Sequence, residues 1–410
     1  MKFSVLKYFR VYIVLRRIAM LFSIALIFIC GLALAEIFQK LHLPRLLGML
    51  ITGILLGPYV LNLLDESLLN ISADIRQFAL IIILSRAGLN LDINDLKKNG
   101  LATVLMCFVP ACCEILGMVV LAPKLLHISL VEAAVLGSVI AAVSPAVVVP
   151  KMLYLIENKY GTKKGIPQMI MACASVDDVF VIVLFSVFTS LAQGGSVSAL
   201  SFLQIPISIV LGAAIGVVFG FVLSVFFTKA KTRSTINVII ILCTAFVLVT
   251  LESILKGKIP FSALLAVMAL GITVRKKVPD TAEKLSSKFS KIWVGAEVML
   301  FALVGAATDV KYAVASGGVV VIVLLGALCF RAIGVVLCTI KTNLNMKERI
   351  FCVLAYLPKA TVQAAIGSMP LAMGLACGKI VLTGAVLAIL ITAPLGALGI
   401  DLSYKKLLIK

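Results

Sequence analysis

Histidine is nearly missing from this chain: 410 residues contain two, His42 and His127. Both stand near the ends of apolar runs, which argues against an imidazole metal centre. Charge is scarce too, at 13% of residues, and it is lopsided, with 18 Asp and Glu against 37 Lys and Arg for a net +19. With 62% hydrophobic residues and a mean hydropathy of +1.18, a water-soluble globular domain of this length is excluded. The 10 cysteines (Cys30, Cys107, Cys112, Cys113, Cys173, Cys243, Cys329, Cys338, Cys352, Cys377) show no CxxC or Cys/His ligand spacing. They fall almost wholly within apolar runs and read as small packing residues.

What is present is a succession of apolar windows long enough to cross a bilayer. They predict helices near 18–39, 44–61, 73–91, 98–122, 130–156, 165–192, 203–228, 235–255, 259–275, 288–307, 314–340, 347–372 and 379–400. The expected fold is therefore an all-α polytopic membrane protein with about 13 transmembrane helices. Alternate loops, from Lys40 and Arg45 to the C-terminus, carry 23 of the basic residues, and the opposite loops carry 11. By the positive-inside rule the C-terminus is cytoplasmic at the cell membrane and, with an odd helix count, the N-terminus is outside. The basic charge is then topological: membrane lipid is its partner, and no nucleic-acid role follows. Residues 1–17, with Lys2, Lys7, Arg10, Arg16 and Arg17, oppose this orientation. An interfacial amphipathic segment at 3–15, or an extra re-entrant helix, would reconcile them. Residues 18–35 also read like a signal sequence ending in Ala33-Leu34-Ala35, but cleavage would place the basic side outside, so a retained helix is expected.

The chain echoes itself. Residues 98–192 and 314–400 each form a three-helix group whose middle helix is interrupted by proline, at Val143-Ser144-Pro145-Ala146-Val147-Val148-Val149-Pro150 and at Leu357-Pro358-Lys359-Ala360-Thr361-Val362-Gln363. Proline removes an amide hydrogen and clashes with the preceding turn, and such openings at membrane depth are tolerated where they line an enclosed cavity. The interrupted helices are the fifth and the twelfth, an odd offset, so equivalent helices run in opposite directions. Two six-helix inverted-topology repeats follow, with two broken, crossing helices and 203–228 as connector, an arrangement that places a transporter's site near the midplane.

Five ionisable residues lie well inside the spans: Glu114, Asp177, Asp178, Arg331 and Lys359. A lone charge there costs about 2.5–3.5 kcal/mol or more, so partners or function must offset it. Neighbouring helix positions point about 100° apart, so Asp177 and Asp178 cannot share one partner. One can pair with Arg331, whose guanidinium keeps its charge. The other stands desolvated and less compensated, ready to take a proton or a bare cation. If the empty carboxylate cannot pass through an occluded state, the carrier moves only when loaded, and competition for one site couples the two ions. Ser144 and the free carbonyls beside Pro145 would complete an oxygen shell for Na+ around that carboxylate, and the break at Pro358, with Thr361 and Gln363, would face it. Glu114, which follows Pro110 in Phe108-Val109-Pro110-Ala111-Cys112-Cys113-Glu114, reads equally as ligand, salt-bridge partner or protonated acid. Lys359 is expected to satisfy carbonyls or a helix end at the break. Arg86 can snorkel, and Glu297 and Asp309 receive no role.

Together these segments resemble the cation/proton antiporter superfamily, in particular its sodium/hydrogen exchanger B subgroup and bacterial Na+/H+ antiporters. The likeness runs from Leu43-Pro44-Arg45-Leu46-Leu47-Gly48 and Gly53-Ile54-Leu55-Leu56-Gly57-Pro58 to Thr392-Ala393-Pro394-Leu395-Gly396. Its most specific pieces are the stretch from Ala142 to Pro150, Ser175-Val176-Asp177-Asp178, and the stretch from Leu357 to Gly367. The resemblance implies a homodimer whose protomers pair a dimerisation scaffold, here 18–97 and 235–313, with a mobile core, here 98–192 and 314–400, that shifts like an elevator. It implies Asp178 as principal carrier and Na+ ligand, and Asp177 as partner of a basic residue, at Arg331. Many bacterial relatives have lysine there; arginine does not release its proton, which opens an electroneutral cycle. Glu114 matches an acidic position of the subgroup that bridges to other charges, and Lys359 is read beside it and Arg331 as charge-compensating. An acid common just after a Gly-Ala pair is absent, since Gly305-Ala306 is followed by Ala307-Thr308 and only then Asp309. The implied activity is secondary antiport of Na+ (or Li+) for H+ by alternating access, without a cofactor and without enzymatic chemistry. Its competitors are a sodium-coupled organic-anion symporter, a passive cation channel and an intramembrane aspartyl protease, whose two carboxyls must approach to about 3 Å, as residues adjacent on one helix do not.

Overall fold

In a bilayer the backbone has no water to bond, so long apolar runs must satisfy their own amides, and here they do so as helices. A computed structural model describes residues 2–91, 100–193, 199–230, 232–255 and 261–410; Lys97, Lys98 and Lys231 of the basic loops lie outside the described residues. The helices are α1 (Lys2–Lys40), α2 (Arg45–Leu56), α3 (Glu66–Asn70), α4 (Ser72–Asn90), α5 (Gly100–Met106), α6 (Val109–Leu126), α7 (Leu130–Ile140), α8 (Pro145–Glu157), α9 (Ile166–Ala192), α10 (Ala199–Ala230), α11 (Ser234–Leu255), α12 (Ala263–Lys277), α13 (Pro279–Ala306), α14 (Val310–Thr339), α15 (Met346–Ala355), α16 (Thr361–Ile366), α17 (Met369–Ala372) and α18 (Gly378–Leu407).

Among the described residues, 9 stretches are long and apolar enough to cross a membrane, against the 13 or so that apolar windows predict. The difference lies in 44–61, 73–91, 259–275 and 347–372, which fold as the shorter, interrupted or less apolar helices α2, α4, α12 and α15 to α17. Most of α2 and α12 is buried against other helices, so neither needs a full lipid-facing length. Residues 2–17 of the basic segment lie within α1, which begins at Lys2, and the apolar span of that helix starts at Ala19. One interruption goes beyond the sequence expectation. The single span read at 98–122 stops at Met106 and resumes at Val109, with Pro110 in the first turn of α6, where a missing amide hydrogen is harmless.

Two kinds of surface separate the helices. On α10, Val210, Val217, Val218, Phe221 and Val222 are exposed, an apolar face that suits lipid and would be a liability in water. Elsewhere backbones touch: α14 lies along α6, α10 along α12, and α2 against α1 and α13. A Cβ on Gly53 would stand 1.8 Å from the Ala302 carbonyl oxygen, and one on Gly305 would stand 2.2 Å from that of Leu50. Gly53→Ala must therefore push α2 and α13 apart. It is expected to destabilise the fold by about 1–3 kcal/mol, as overpacking does, read as an earlier loss of the monodisperse peak on heating in detergent.

Candidate functional site

The two proline motifs open the helices where expected and bind the openings to each other. α7 stops at Ile140 and α8 begins at Pro145, while α15 stops at Ala355 and α16 begins at Thr361. The Ser144 amide donates to the Pro358 carbonyl at 2.8 Å. Gln363 Nε2 donates to the carbonyls of Val139 (3.1 Å), Ile140 (3.0 Å) and Ala142 (3.0 Å). A helix end leaves such carbonyls orphaned; here a side chain from the other break satisfies them. Gly396 on α18 admits the Pro358 ring, since a Cβ there would lie 2.3 Å from its Cγ. Thr392 Oγ1 accepts the Lys359 amide at 2.9 Å. Gln363→Leu should strip these three carbonyls of their donor and cost about 3 kcal/mol or more, at roughly 1–3 kcal/mol for each buried group left unsatisfied; thermal unfolding in detergent measures it.

The five buried ionisable residues converge on these openings. Arg331, 1% exposed, donates from Nε to the Tyr356 carbonyl at 2.9 Å, from Nη1 to Glu114 Oε2 at 2.7 Å and to the Ala141 carbonyl, and from Nη2 to Asp177 Oδ2 at 3.1 Å. One planar fork thus joins both breaks and two acids, a geometry that a lysine cannot reproduce. Lys359 Nζ donates to Glu114 Oε2 at 2.6 Å and to the Ala141 carbonyl at 3.4 Å. Of the three roles left open for Glu114, the geometry is that of a salt-bridge partner, held by two cations at once. Asp177 Oδ2 also accepts the Val143 amide at 2.8 Å, inside the first break.

Asp178 is different. It is buried, at 8% exposed, and makes no ion pair or hydrogen bond with the described residues, its Oδ1 being among the buried atoms without a partner. Other buried oxygens without a partner belong to the neighbouring Asp177 (Oδ1), to the breaks (Ser144 Oγ, Thr361 Oγ1, Gln363 Oε1) and to Glu114 (Oε1). Buried polar atoms are nearly always bonded, so a concentration of exceptions needs a reason. These are hard oxygen donors, the kind that suit a hard cation. Ser144 precedes α8 without capping it through its side chain, which leaves its hydroxyl uncommitted. The sequence missed the contributions of Ala141, Val143 and Tyr356, which act through backbone atoms and carry no side-chain signal. Asp309 caps α14, accepting from the Tyr312 amide at 3.1 Å. Glu297 has Arg45 and Arg86 as charged neighbours, and no bond joins it to the network among the described residues.

Buried ion pairs stitched across two facing helix breaks, with one acid left over, define a multi-pass membrane protein built as a secondary transporter. Comparison with known proteins then fixes the family. The description "Sodium/hydrogen exchanger, transmembrane" matches residues 23–402. The mouse sodium/hydrogen exchanger 9B2 is 33% identical over 409 residues, covering 95% of this chain and 74% of that one; the human sodium/hydrogen exchanger 9B1 is 32% identical over 412 residues, covering 95% and 78%. The structure of the sodium proton antiporter MjNhaP1 from Methanocaldococcus jannaschii superposes with a TM-score of 0.83 at 18% identity, over 96% of this chain and 99% of that one, a likeness of fold. The chain belongs to the sodium/hydrogen exchanger family, and so is a transporter; the protease reading is set aside.

Proposed function

We propose that the protein exchanges Na+ (or Li+) for H+ by alternating access, the two ions competing for Asp178. The observation that carries this reading is the inequality of the acids. Glu114 is held by Arg331 and Lys359, Asp177 by Arg331 and the Val143 amide, and Asp178 has neither an ion pair nor a hydrogen bond among the described residues. With all groups ionised, three acids face two bases, a net charge of one negative unit. A proton or a monovalent cation on Asp178 brings it to zero, and an uncompensated charge in a low-dielectric interior is costly enough to hold the empty carrier still. Ser144, Thr361 and Gln363, whose buried oxygens have no hydrogen-bond partner, are the further ligands in this reading.

The finer architecture is part of the proposal. The pairing of two broken helices supports inverted repeats within a 13-helix protomer. Packing of α2 with α1 and α13, and of α14 with α6, supports a scaffold of 18–97 with 235–313 and a core of 98–192 with 314–400, bridged by 203–228; a homodimer is the assembly that the family resemblance implies. The basic loops support a cytoplasmic C-terminus at the cell membrane.

Because Arg331 keeps its charge, the proton-loaded and sodium-loaded carriers carry equal charge, and exchange is one for one. In proteoliposomes the rate of sodium-driven proton movement is expected to be the same with and without a potassium/valinomycin clamp. A rate that follows the clamped potential would contradict electroneutral exchange, and sodium flux driven by an organic anion without proton movement would favour symport.

A further inference from the structure

A second apolar cluster, which includes Cys173 and Ala174 just ahead of the aspartates in the chain, is rich in sulfur: Met106, Cys107, Met152, Met169, Cys173 and Cys352 all belong to it. Two of these thiols point at one atom. Cys107 Sγ, in the gap between α5 and α6, and Cys173 Sγ, on α9, each donate to the Thr103 carbonyl at 3.2 Å. The sulfurs are therefore no further apart than twice that distance. Both residues are closed to solvent, at 1% and 0% exposed. Cys173 is four residues before Asp177, on the same side of the helix and about one 5.4 Å turn away. A cation admitted to the aspartates is thus one turn from the pair.

We infer that Cys107 and Cys173 form a two-coordinate site for a single soft, thiophilic d10 cation, separate from the hard-oxygen site at Asp178. Thiol ligands select such ions over sodium, and two sulfurs converging on one point supply the linear coordination they accept. Silver(I) forms one Ag–S bond at the expense of one S–H, releases one proton and takes the second thiol as a neutral donor; mercury(II) displaces both protons. Either complex is neutral, which suits a low-dielectric interior. A redox pair is the weaker reading, because thiols enclosed by apolar neighbours are poor nucleophiles toward peroxides. An occupied site would pin the α5–α6 gap to α9 beside the aspartates and so block exchange. Only that last consequence rests on the proposed function.

The test uses the purified full chain and silver(I). One equivalent should resist competition by an excess of a water-soluble thioether, and it should be lost in Cys107→Ser and in Cys173→Ser, which keep a donor for the Thr103 carbonyl. It should be retained in Cys352→Ser, a buried thiol of the same cluster. Survival of the equivalent in both serine variants, or its loss in Cys352→Ser as well, would overturn the site. X-ray absorption at the silver edge of the unaltered protein is independent of how the variants fold: two sulfur neighbours support the site, and oxygen or single-sulfur coordination refutes it. In proteoliposomes, silver should inhibit sodium-driven proton movement of the unaltered chain and spare both serine variants. Absence of any exchange would bear on the proposed function and leave the binding result standing.

Discussion

Asp178→Asn is expected to abolish the sodium-driven collapse of a preset pH gradient in proteoliposomes while leaving the protein folded. Asparagine keeps the shape and loses the charge. Two opposite charges about 4 Å apart attract by about 4 kcal/mol at the effective dielectric of a protein. Forfeiting that weakens cation binding by about three decades, and the amide has no proton to trade. The fold should tolerate the change, because Asp178 has no ion-pair partner among the described residues to be left stranded. Its removal also relieves an unpaired buried charge, so the thermal midpoint should hold or rise. Asp177→Asn should behave otherwise: it releases one arm of Arg331 and lowers stability along with transport.

The second large effect is expected at Arg331. Arg331→Met leaves Asp177 with only the Val143 amide, leaves Glu114 with only Lys359, and withdraws donors from the carbonyls of Ala141 and Tyr356. Breaking a buried pair by removing one partner costs about 3–5 kcal/mol, because the other charge stays buried. Arg331 serves two acids, so the upper end of that range is expected, seen as a drop in thermal midpoint and in the yield of folded protein. Adding Asp177→Asn to Arg331→Met should recover part of the loss, since it removes one stranded carboxylate; a double-mutant cycle measures how much. Arg331→Lys should fall between, keeping the charge and losing the fork.

How much of this was legible in the sequence depends on the type of signal. Apolar length announced the long helices, and intramembrane charge announced Glu114, Asp177, Asp178, Arg331 and Lys359, because both are costs that sequence alone reveals. Proline marked the openings at Pro145 and Pro358. It also marked the one at Pro110, which the apolar run of 98–122 concealed. What the sequence could not supply was pairing at long range. Lys359 and Glu114 are 245 residues apart, and nothing local distinguishes a lysine that caps carbonyls from one that grips an acid. Gln363 reads as an ordinary polar residue until three carbonyls from the end of α7 and the break after it converge on its amide. Cys107 and Cys173 lack any ligand spacing and meet only through the fold. Backbone donors such as the Val143 amide leave no trace in residue type at all.

The central claim is that a sodium ion and a proton exclude each other at Asp178. Proton release on adding sodium to the purified protein in weakly buffered detergent solution tests it most directly. About one proton per chain should appear in the unaltered protein at a pH where Asp178 is still protonated, as competition for a single carboxylate requires, and none should appear in Asp178→Asn. Release that persists in Asp178→Asn, or sodium binding to the unaltered protein with no proton released, would contradict the account.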